Sequence, residues 1–344
     1  MQTIGISLIG FGNVGRAFAR LLLDKRGAIH QKYDLEFKVV GIMTGNHGTA
    51  IDVHGIDLPG ALKIVEEGTS LAVLSQSAAP TEVDAFLEAS TASVMAENTP
   101  VSYSDGQPAL GHFRAALSRG IHVITANKGP LVHGHQELTQ LAAARGCRFL
   151  FESTVMDGAP IFSLWRAALP VTELTSFRGV LNSTTNLILS RMESGESFEA
   201  AVNHAQAIGI AETDPSGDVE GWDAAVKVAA LVTVLMGVPM LPQDVKREGI
   251  GAIKGQQVQS ALKNGQRWKL ICEAQRVGEG ASASVQPKLV ERTDPLYTVT
   301  GTSSAVTFHS DVLGALTVTE ADPGPHTTAY GLLADLLDIY RNSA

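Results

Sequence analysis

The side chains with the greatest capacity for chemistry lie in residues 209–227, which read GIAETDPSGDVEGWDAAVK. Asp223 and Lys227 are four residues apart, so on a helix their carboxylate and ammonium share one face. Lys227 is the one charged side chain between Ala224 and Gln243. An ammonium among apolar side chains is costly unless it is paired or used. The pattern therefore predicts either a structural ion pair or a lysine that transfers protons.

A helix must position these two groups, and the apolar spacing indicates one. Its buried stripe is expected at Ala224, Val228, Leu231 and Leu235. We expect Asp218 to cap its N terminus and Gly237, with Pro239 just beyond, to end it. The preceding loop carries Glu212 and Asp214 in addition to Asp218. This concentration of negative charge suits a ligand that bears an amino group.

A glycine turn near the N terminus predicts a second site. An apolar strand over residues 4–9 is followed by a helical pattern over residues 13–25. Between them, and entering the helix, are Gly10, Phe11, Gly12, Asn13, Val14 and Gly15. Glycines at this spacing permit a tight turn and bring pyrophosphate close to the backbone at the helix N terminus. We expect a bound dinucleotide, the alternative being a glycine turn in another α/β fold.

The second predicted strand, residues 37–43, bears on which dinucleotide binds. An NAD site usually places Asp or Glu at its end and an NADP site an Arg nearby, and neither is present. Thr44, Asn46 and His47 follow instead. The choice between NAD and NADP stays open, and the missing acid slightly favours NADP.

Strands and helices alternate up to residue 151, with helices predicted at 80–89, 108–119 and 138–145, which indicates a doubly wound parallel sheet. Ligands bind beyond the carboxyl ends of such strands, where Thr99, Asn127 and Lys128 fall. A lysine after a strand is ordinarily a solvated loop charge. At this position we expect Lys128 to point toward the cofactor.

Composition excludes several classes of protein. A net charge of -9 over 344 residues argues against a nucleic-acid partner. Cys147 and Cys272 stand alone, so we expect neither a disulfide framework nor a zinc site. The N-terminal stretch has no positively charged leader, the apolar run at 228–241 is too short to cross a bilayer, and few residues follow the last predicted helix. We expect a cytoplasmic enzyme without a membrane segment or an appended regulatory domain.

Seven segments, taken in order, resemble homoserine dehydrogenase over nearly the whole chain. They are GFGNVG, ENTP, TANKGP, FESTVMDGAP, GVLNSTTN, the 209–227 stretch and TTAYGLLADLL. The resemblance implies a Rossmann-type dinucleotide-binding domain, residues 1–152 and 323–344, interrupted by an α/β substrate-binding and dimerisation domain, residues 153–322. It implies a homodimer that reversibly oxidises L-homoserine to L-aspartate 4-semialdehyde with NADP or NAD.

The resemblance also implies roles for individual residues. Lys227 and Lys128 match the catalytic lysines, and Glu212, Asp218 and Asp223 match residues that bind the substrate. Thr99 and Lys128 join the glycine turn, Gly10 to Gly15, in binding the cofactor. A sodium ion is implied at the Glu152 side chain and the carbonyls of Val155, Asp157 and Ala159, a donor set of hard oxygens. The alternative for Glu152 is a cap on the following turn.

Three departures from the family pattern leave room for a related enzyme. Ile210 replaces a common aromatic residue, Asp157 adds a carboxylate to its loop, and residues 320–325 replace a glycine-alanine loop before the last helix. The remaining alternatives are an oxidoreductase with a shifted small amino-acid or hydroxy-acid substrate and a non-catalytic dinucleotide sensor. An aspartate-semialdehyde dehydrogenase would need a nucleophilic cysteine, and neither cysteine lies in such a motif.

Overall fold

The computed structural model describes residues 1–75 and 78–341. Its contacts divide the chain into two compact units. The first comprises Met1–Pro160 and the segment from Gly324 onward, and the second is Ile161–Pro323. The second unit is thus inserted into the first, and its N-terminal boundary lies eight residues later in the chain than the predicted one.

Within the described residues, the elements of the first segment are β1 Gln2–Ile9, α1 Asn13–Tyr33, β2 Leu35–Met43, β3 Thr49–Ile51, α2 Leu58–Glu66, α3 Val83–Ser90, β4 Val94–Glu97, α4 Ala109–Ser118, β5 His122–Thr125, α5 Gly129–Ala144 and β6 Phe149–Leu150. The second unit contains β7 Leu174–Val180, α6 Ser183–Glu193, α7 Phe198–Ala207, α8 Ser216–Val219, α9 Trp222–Leu235, β8 Lys246–Arg247, α10 Gly255–Lys263, β9 Gln266–Val277, β10 Gly280–Glu291, β11 Ser304–Ser310 and β12 Ala315–Glu320. The C-terminal helix α11, Pro325–Tyr340, belongs to the first unit.

The sheet of the first unit has the strand order β3-β2-β1-β4-β5-β6. All its strand pairs are parallel except β2 with β3. Apolar residues such as Ile6 and Leu8 of β1 are fully buried, because helices cover the faces of a parallel sheet. The order reverses between β1 and β4, which is where doubly wound folds bind their ligands. The predicted fold of this unit is confirmed.

The sheet of the second unit has the order β12-β11-β7-β9-β10-β8 and is antiparallel except for the short pair β10 and β8. Its longest strands, β9 and β10, form a hairpin. Helix α9 packs against both strands of this hairpin. Strand β12 was not predicted, although the half-buried Leu316 and Val318 alternate with the exposed Thr317 and Thr319 in the two-residue period of a strand.

Two predicted helix limits differ from the structure. Helix α5 begins at Gly129 rather than at residue 138, because Pro130 occupies the first helical turn, where its missing N–H is not needed. Helix α1 continues to Tyr33 instead of ending near residue 25, and the left-handed Asp34 ends it.

The helix that carries Lys227 also begins later than predicted. Asp218 lies in the separate short helix α8, and Gly221, with φ of 84°, is the N-cap of α9. A side chain rarely adopts that backbone conformation, so the glycine separates the two helices. Helix α9 is also buried on more than one stripe, since every residue from Ala224 to Val232 except Lys227 is buried.

Candidate active site

The glycine turn between β1 and α1 has the shape of a phosphate cradle. A Cβ on Gly10 would lie 2.6 Å from the Asn98 carbonyl oxygen, and one on Gly15 would lie 2.6 Å from the Gly10 carbonyl oxygen. Packing therefore requires both glycines. A Cβ on Gly12 would meet nothing within 4 Å, and no side chain caps α1 at this residue. The helix N terminus is therefore open to an anion, and the turn fits the pyrophosphate of a dinucleotide.

The ends of β4 and β5 are joined by side-chain hydrogen bonds. The buried Asn127 amide donates to the Thr99 carbonyl oxygen at 3.1 Å and accepts from the Gly129 N–H at 3.0 Å. Thr125 Oγ1 donates to the Glu97 carbonyl oxygen at 2.8 Å. These bonds fix the predicted cofactor residue Thr99 and the start of α5. Lys128 is the half-buried N-cap residue of that helix.

Three of the predicted residues in the second unit lie together. Lys227 Nζ is 3.1 Å from Asp223 Oδ2, the i,i+4 ion pair expected from the sequence, and donates to the Leu181 carbonyl oxygen at 2.7 Å. The Lys227 side chain is 16 % exposed and that of Asp223 is 14 % exposed. A charge-assisted contact in such a partly dry setting is stronger than at an open surface. The third residue, Asp218, joins the pair through Asn182.

Asn182 is a site residue that the sequence analysis missed. Its Nδ2 donates to Asp218 Oδ1 at 2.6 Å and to Asp223 Oδ2 at 3.1 Å. Its Oδ1 accepts from the Thr185 N–H at 2.9 Å as the N-cap of α6, so the amide can face the carboxylates only with its NH₂ group. The signal was present in the segment GVLNSTTN, where an N-cap asparagine follows a strand.

The two carboxylates differ from a solvated pair. Burial and then repulsion from Asp223 raise the pKa of Asp218, and the hydrogen bonds from Asn182 and Thr184 and the charge of Lys227 oppose this rise. Glu212 is exposed on the loop between α7 and α8. Its backbone carbonyl oxygen accepts from the Gln206 side chain at 3.1 Å.

The predicted cation loop follows β6 in the first unit. Glu152 is buried and begins a 3-10 turn, Glu152–Thr154. The Asp157 carboxylate accepts hydrogen bonds from the hydroxyls of Thr327 and Thr328 at 3.2 and 3.0 Å. Its charge is therefore used to hold the start of α11. Within residues 1–75 and 78–341, no cluster of three or more His, Cys, Asp or Glu side chains suits a metal ion.

Comparison with known protein families identifies the family of this chain. Residues 160–337 match the family model described as homoserine dehydrogenase, and residues 10–152 match the model described as homoserine dehydrogenase, NAD binding domain. The chain belongs to the homoserine dehydrogenase family. The predicted enzyme class, an oxidoreductase that interconverts homoserine and aspartate 4-semialdehyde on a nicotinamide cofactor, is thereby confirmed.

Relatives of full length support this assignment to the homoserine dehydrogenases. The chain is 36 % identical to the NAD(+)-dependent homoserine dehydrogenase of Pseudomonas canavaninivorans over 344 residues, which cover 100 % of this chain and 98 % of the relative. It is 36 % identical over 339 residues to the homoserine dehydrogenase of Methanocaldococcus jannaschii, covering 98 % and 99 % of the two chains. The crystal structure of a putative homoserine dehydrogenase from Archaeoglobus fulgidus aligns with a TM-score of 0.86 at 33 % identity, covering 98 % and 99 %.

The roles of individual residues in this homoserine dehydrogenase stay predictions. The structure brings Asp218, Asp223 and Lys227 together in the second unit and places Thr99 and Lys128 at strand ends of the first.

None of the helices within the described residues has the length and apolar character of a membrane span.

Proposed function

We propose that Lys227 is the residue that exchanges a proton with the substrate hydroxyl in this enzyme. The observation that supports this role is the position of its ammonium group, 3.1 Å from Asp223 Oδ2 and 2.7 Å from the Leu181 carbonyl oxygen, on a helix that is otherwise buried from Ala224 to Val232. Two fixed acceptors orient the amine. An ion pair that only stabilised the fold would not require the Lys227 ammonium to lie on a helix that is otherwise apolar.

The chain's own residues would then manage the proton and the substrate. In oxidation, the Lys227 amine takes the hydroxyl proton as the carbon–oxygen double bond forms, and in reduction its ammonium returns that proton to the oxygen. The bound nicotinamide supplies the hydride chemistry. Asp223 holds the lysine, while Asp218 and Glu212 attract the ammonium group of homoserine. Lys128 is proposed as a second lysine that polarises the substrate oxygen.

For the cofactor, we propose that NAD is preferred to NADP. The turn after β2 offers no Arg or Lys to a 2′-phosphate between Thr44 and Gly48. The Thr44 hydroxyl is already used within the turn, since it donates to the Gly48 carbonyl oxygen at 3.0 Å and accepts from the His47 N–H at 2.8 Å. The relative from Pseudomonas canavaninivorans, 36 % identical, is named NAD(+)-dependent. This proposal replaces the slight preference for NADP drawn from the missing acid alone.

The cation site, the dimer and the compartment are further proposals. Glu152 and the carbonyls of Val155, Asp157 and Ala159 are proposed to bind a sodium ion, and Glu152→Gln should remove any stimulation of activity by sodium.

An open face of the second sheet, which includes the exposed Gln275 and His309, is proposed as the contact between two copies of the chain. Light scattering tests the homodimer. The two free, buried cysteines accord with a cytoplasmic enzyme.

A spectrophotometric assay with L-homoserine and either NAD or NADP tests the proposal. We expect a higher kcat/KM with NAD, and 4-hydroxybutyrate, which lacks the amino group, should react at least ~100-fold less efficiently. Absence of turnover with both cofactors would refute the assigned reaction. Equal rates with 4-hydroxybutyrate would refute the role of Asp218 and Glu212 but leave the dehydrogenase chemistry intact.

A further inference from the structure

The carboxylate of Glu97 is fully buried at the C-terminal end of β4, although the proposed mechanism gives it no task. Its Oε1 accepts hydrogen bonds from the Thr99 N–H at 3.2 Å and from the Thr99 hydroxyl. His112 of α4 places Nδ1 3.4 Å from the same oxygen. Within the described residues, Oε2 is buried and has no hydrogen-bond partner. A carboxylate in this setting is an expensive choice for a residue that only fills space.

The contacts of Glu97 converge on the turn that follows β4. The N–H and the hydroxyl of Thr99 both donate to Glu97, and the Thr99 carbonyl oxygen accepts from the Asn127 amide at 3.1 Å. The turn also touches the glycine loop, because a Cβ on Gly10 would lie 2.6 Å from the Asn98 carbonyl oxygen. Glu97 is therefore in a position to set the backbone of a turn that borders the phosphate cradle.

From these contacts we infer that Glu97, held by His112, is a positioning residue that fixes the turn at Thr99 for the cofactor. Glu97 would not touch the reacting atoms. It would act through Thr99, whose N–H and hydroxyl it aims, and through Asn127, which connects the same turn to the start of α5 at Gly129. Holding reactants in the correct geometry contributes strongly to rate, and small misplacements lower it. The inference rests on the proposed dehydrogenase function.

The test compares two substitutions of Glu97 that are similar in size. Glu97→Met removes both acceptor oxygens and leaves the Thr99 donors without a partner, whereas Glu97→Gln retains one oxygen for them. We expect Glu97→Met to raise the Kd of NADH and to lower kcat by about tenfold each, with the KM of homoserine within about twofold. Glu97→Gln should recover most of this loss. Glu137→Met, which removes the exposed ion pair with Arg114, is the matched control and should behave as wild type.

Several results would overturn the inference. The inference fails if Glu97→Met has the kcat and the NADH affinity of wild type. It also fails if Glu97→Met and Glu97→Gln lose kcat and NADH affinity equally, or if the KM of homoserine rises in Glu97→Met by as much as the Kd of NADH. Should Glu97→Met fail to fold, His112→Phe decides: a raised Kd of NADH in a folded protein supports the role, and an unchanged Kd refutes it. A double variant of Glu97 and His112 should lose no more than the worse single variant, because the two act through one contact.

The NADH titration also separates this inference from the proposed reaction. NADH binding is measured by fluorescence without homoserine, so it reports on the turn at Thr99 even if homoserine is not turned over. Failure of the homoserine assay in the wild type would refute the reaction alone. Normal homoserine turnover in wild type together with unaffected Glu97 and His112 variants would refute the positioning role alone.

Discussion

Replacing Lys227 with methionine removes the ammonium and keeps most of the side-chain volume. General acid–base catalysis contributes about 10²–10⁴ in rate, so kcat should fall by that factor, or about 2.7–5.5 kcal/mol of transition-state stabilisation. The KM of homoserine should change little, because the lost interaction belongs mainly to the transition state. NADH formation followed by absorbance measures both constants.

The same substitution has a cost in stability that follows from two broken contacts. The Leu181 carbonyl oxygen loses its donor at 2.7 Å, and Asp223, 14 % exposed, loses its cation at 3.1 Å. Together these losses correspond to about 2–4 kcal/mol in the free energy of unfolding, a fall in Tm of about 5–15 °C for a unit of this size. The activity assay must therefore be run well below the variant's Tm.

A matched control separates catalysis from stability. Lys263→Met removes an exposed lysine in the same unit and should leave kcat and Tm unchanged. If Lys227→Met retained kcat within about threefold of wild type, the proton-transfer role would be wrong and the lysine would be a structural ion-pair partner. A lower Tm with normal kcat would identify that second role directly.

Four further substitutions test the cofactor cradle and the buried charges. Gly12→Val should keep the fold and raise the Kd of NADH at least ~10-fold, as measured by NADH titration. Gly15→Ala, whose Cβ would lie 2.6 Å from a carbonyl oxygen, should instead cost about 1–3 kcal/mol in unfolding free energy, as measured by thermal denaturation. Burial raises the pKa of Asp218, so the folded state loses stability as pH rises above the ordinary value of 3.8. In urea denaturation at neutral pH, Asp218→Asn should therefore be more stable than wild type. The same variant should be less active. Burial lowers the pKa of Lys269 to about 8, so between that value and 10.5 the unfolded chain binds more protons than the folded protein. The free energy of unfolding should therefore rise with pH in this window. Lys269→Met should lack this rise when urea midpoints are compared across the same pH range.

Local pattern was sufficient for much of this protein. The doubly wound sheet follows from alternating apolar strands and helices, and the dinucleotide cradle from glycines placed between β1 and α1. The ion pair of Asp223 and Lys227 follows from helical spacing alone. Each of these depends on residues close together in the chain, where covalent geometry already limits the possible arrangements.

Contacts between distant residues required the tertiary structure. Asn182 lies 41 positions from Asp223. Its local pattern indicates an N-cap, but it does not indicate that the amide bridges two carboxylates. The His112 contact with Glu97 likewise joins a helix to a strand end 15 residues away. The limits of α9 were also missed, because Asp218 is a good capping residue by type and only the left-handed Gly221 moves the cap.

The sequence by itself determined which chemical groups are present and which local elements carry them, because spacing along the chain fixes helix faces and turn geometry. The tertiary structure alone decided which of those groups share an environment. Burial and hydrogen-bond partners depend on packing between elements, and they distinguish the pKa of Asp218 from that of an acid in water. The same packing leaves Glu212 exposed, while Glu97, to which the sequence assigned no role, is fully buried.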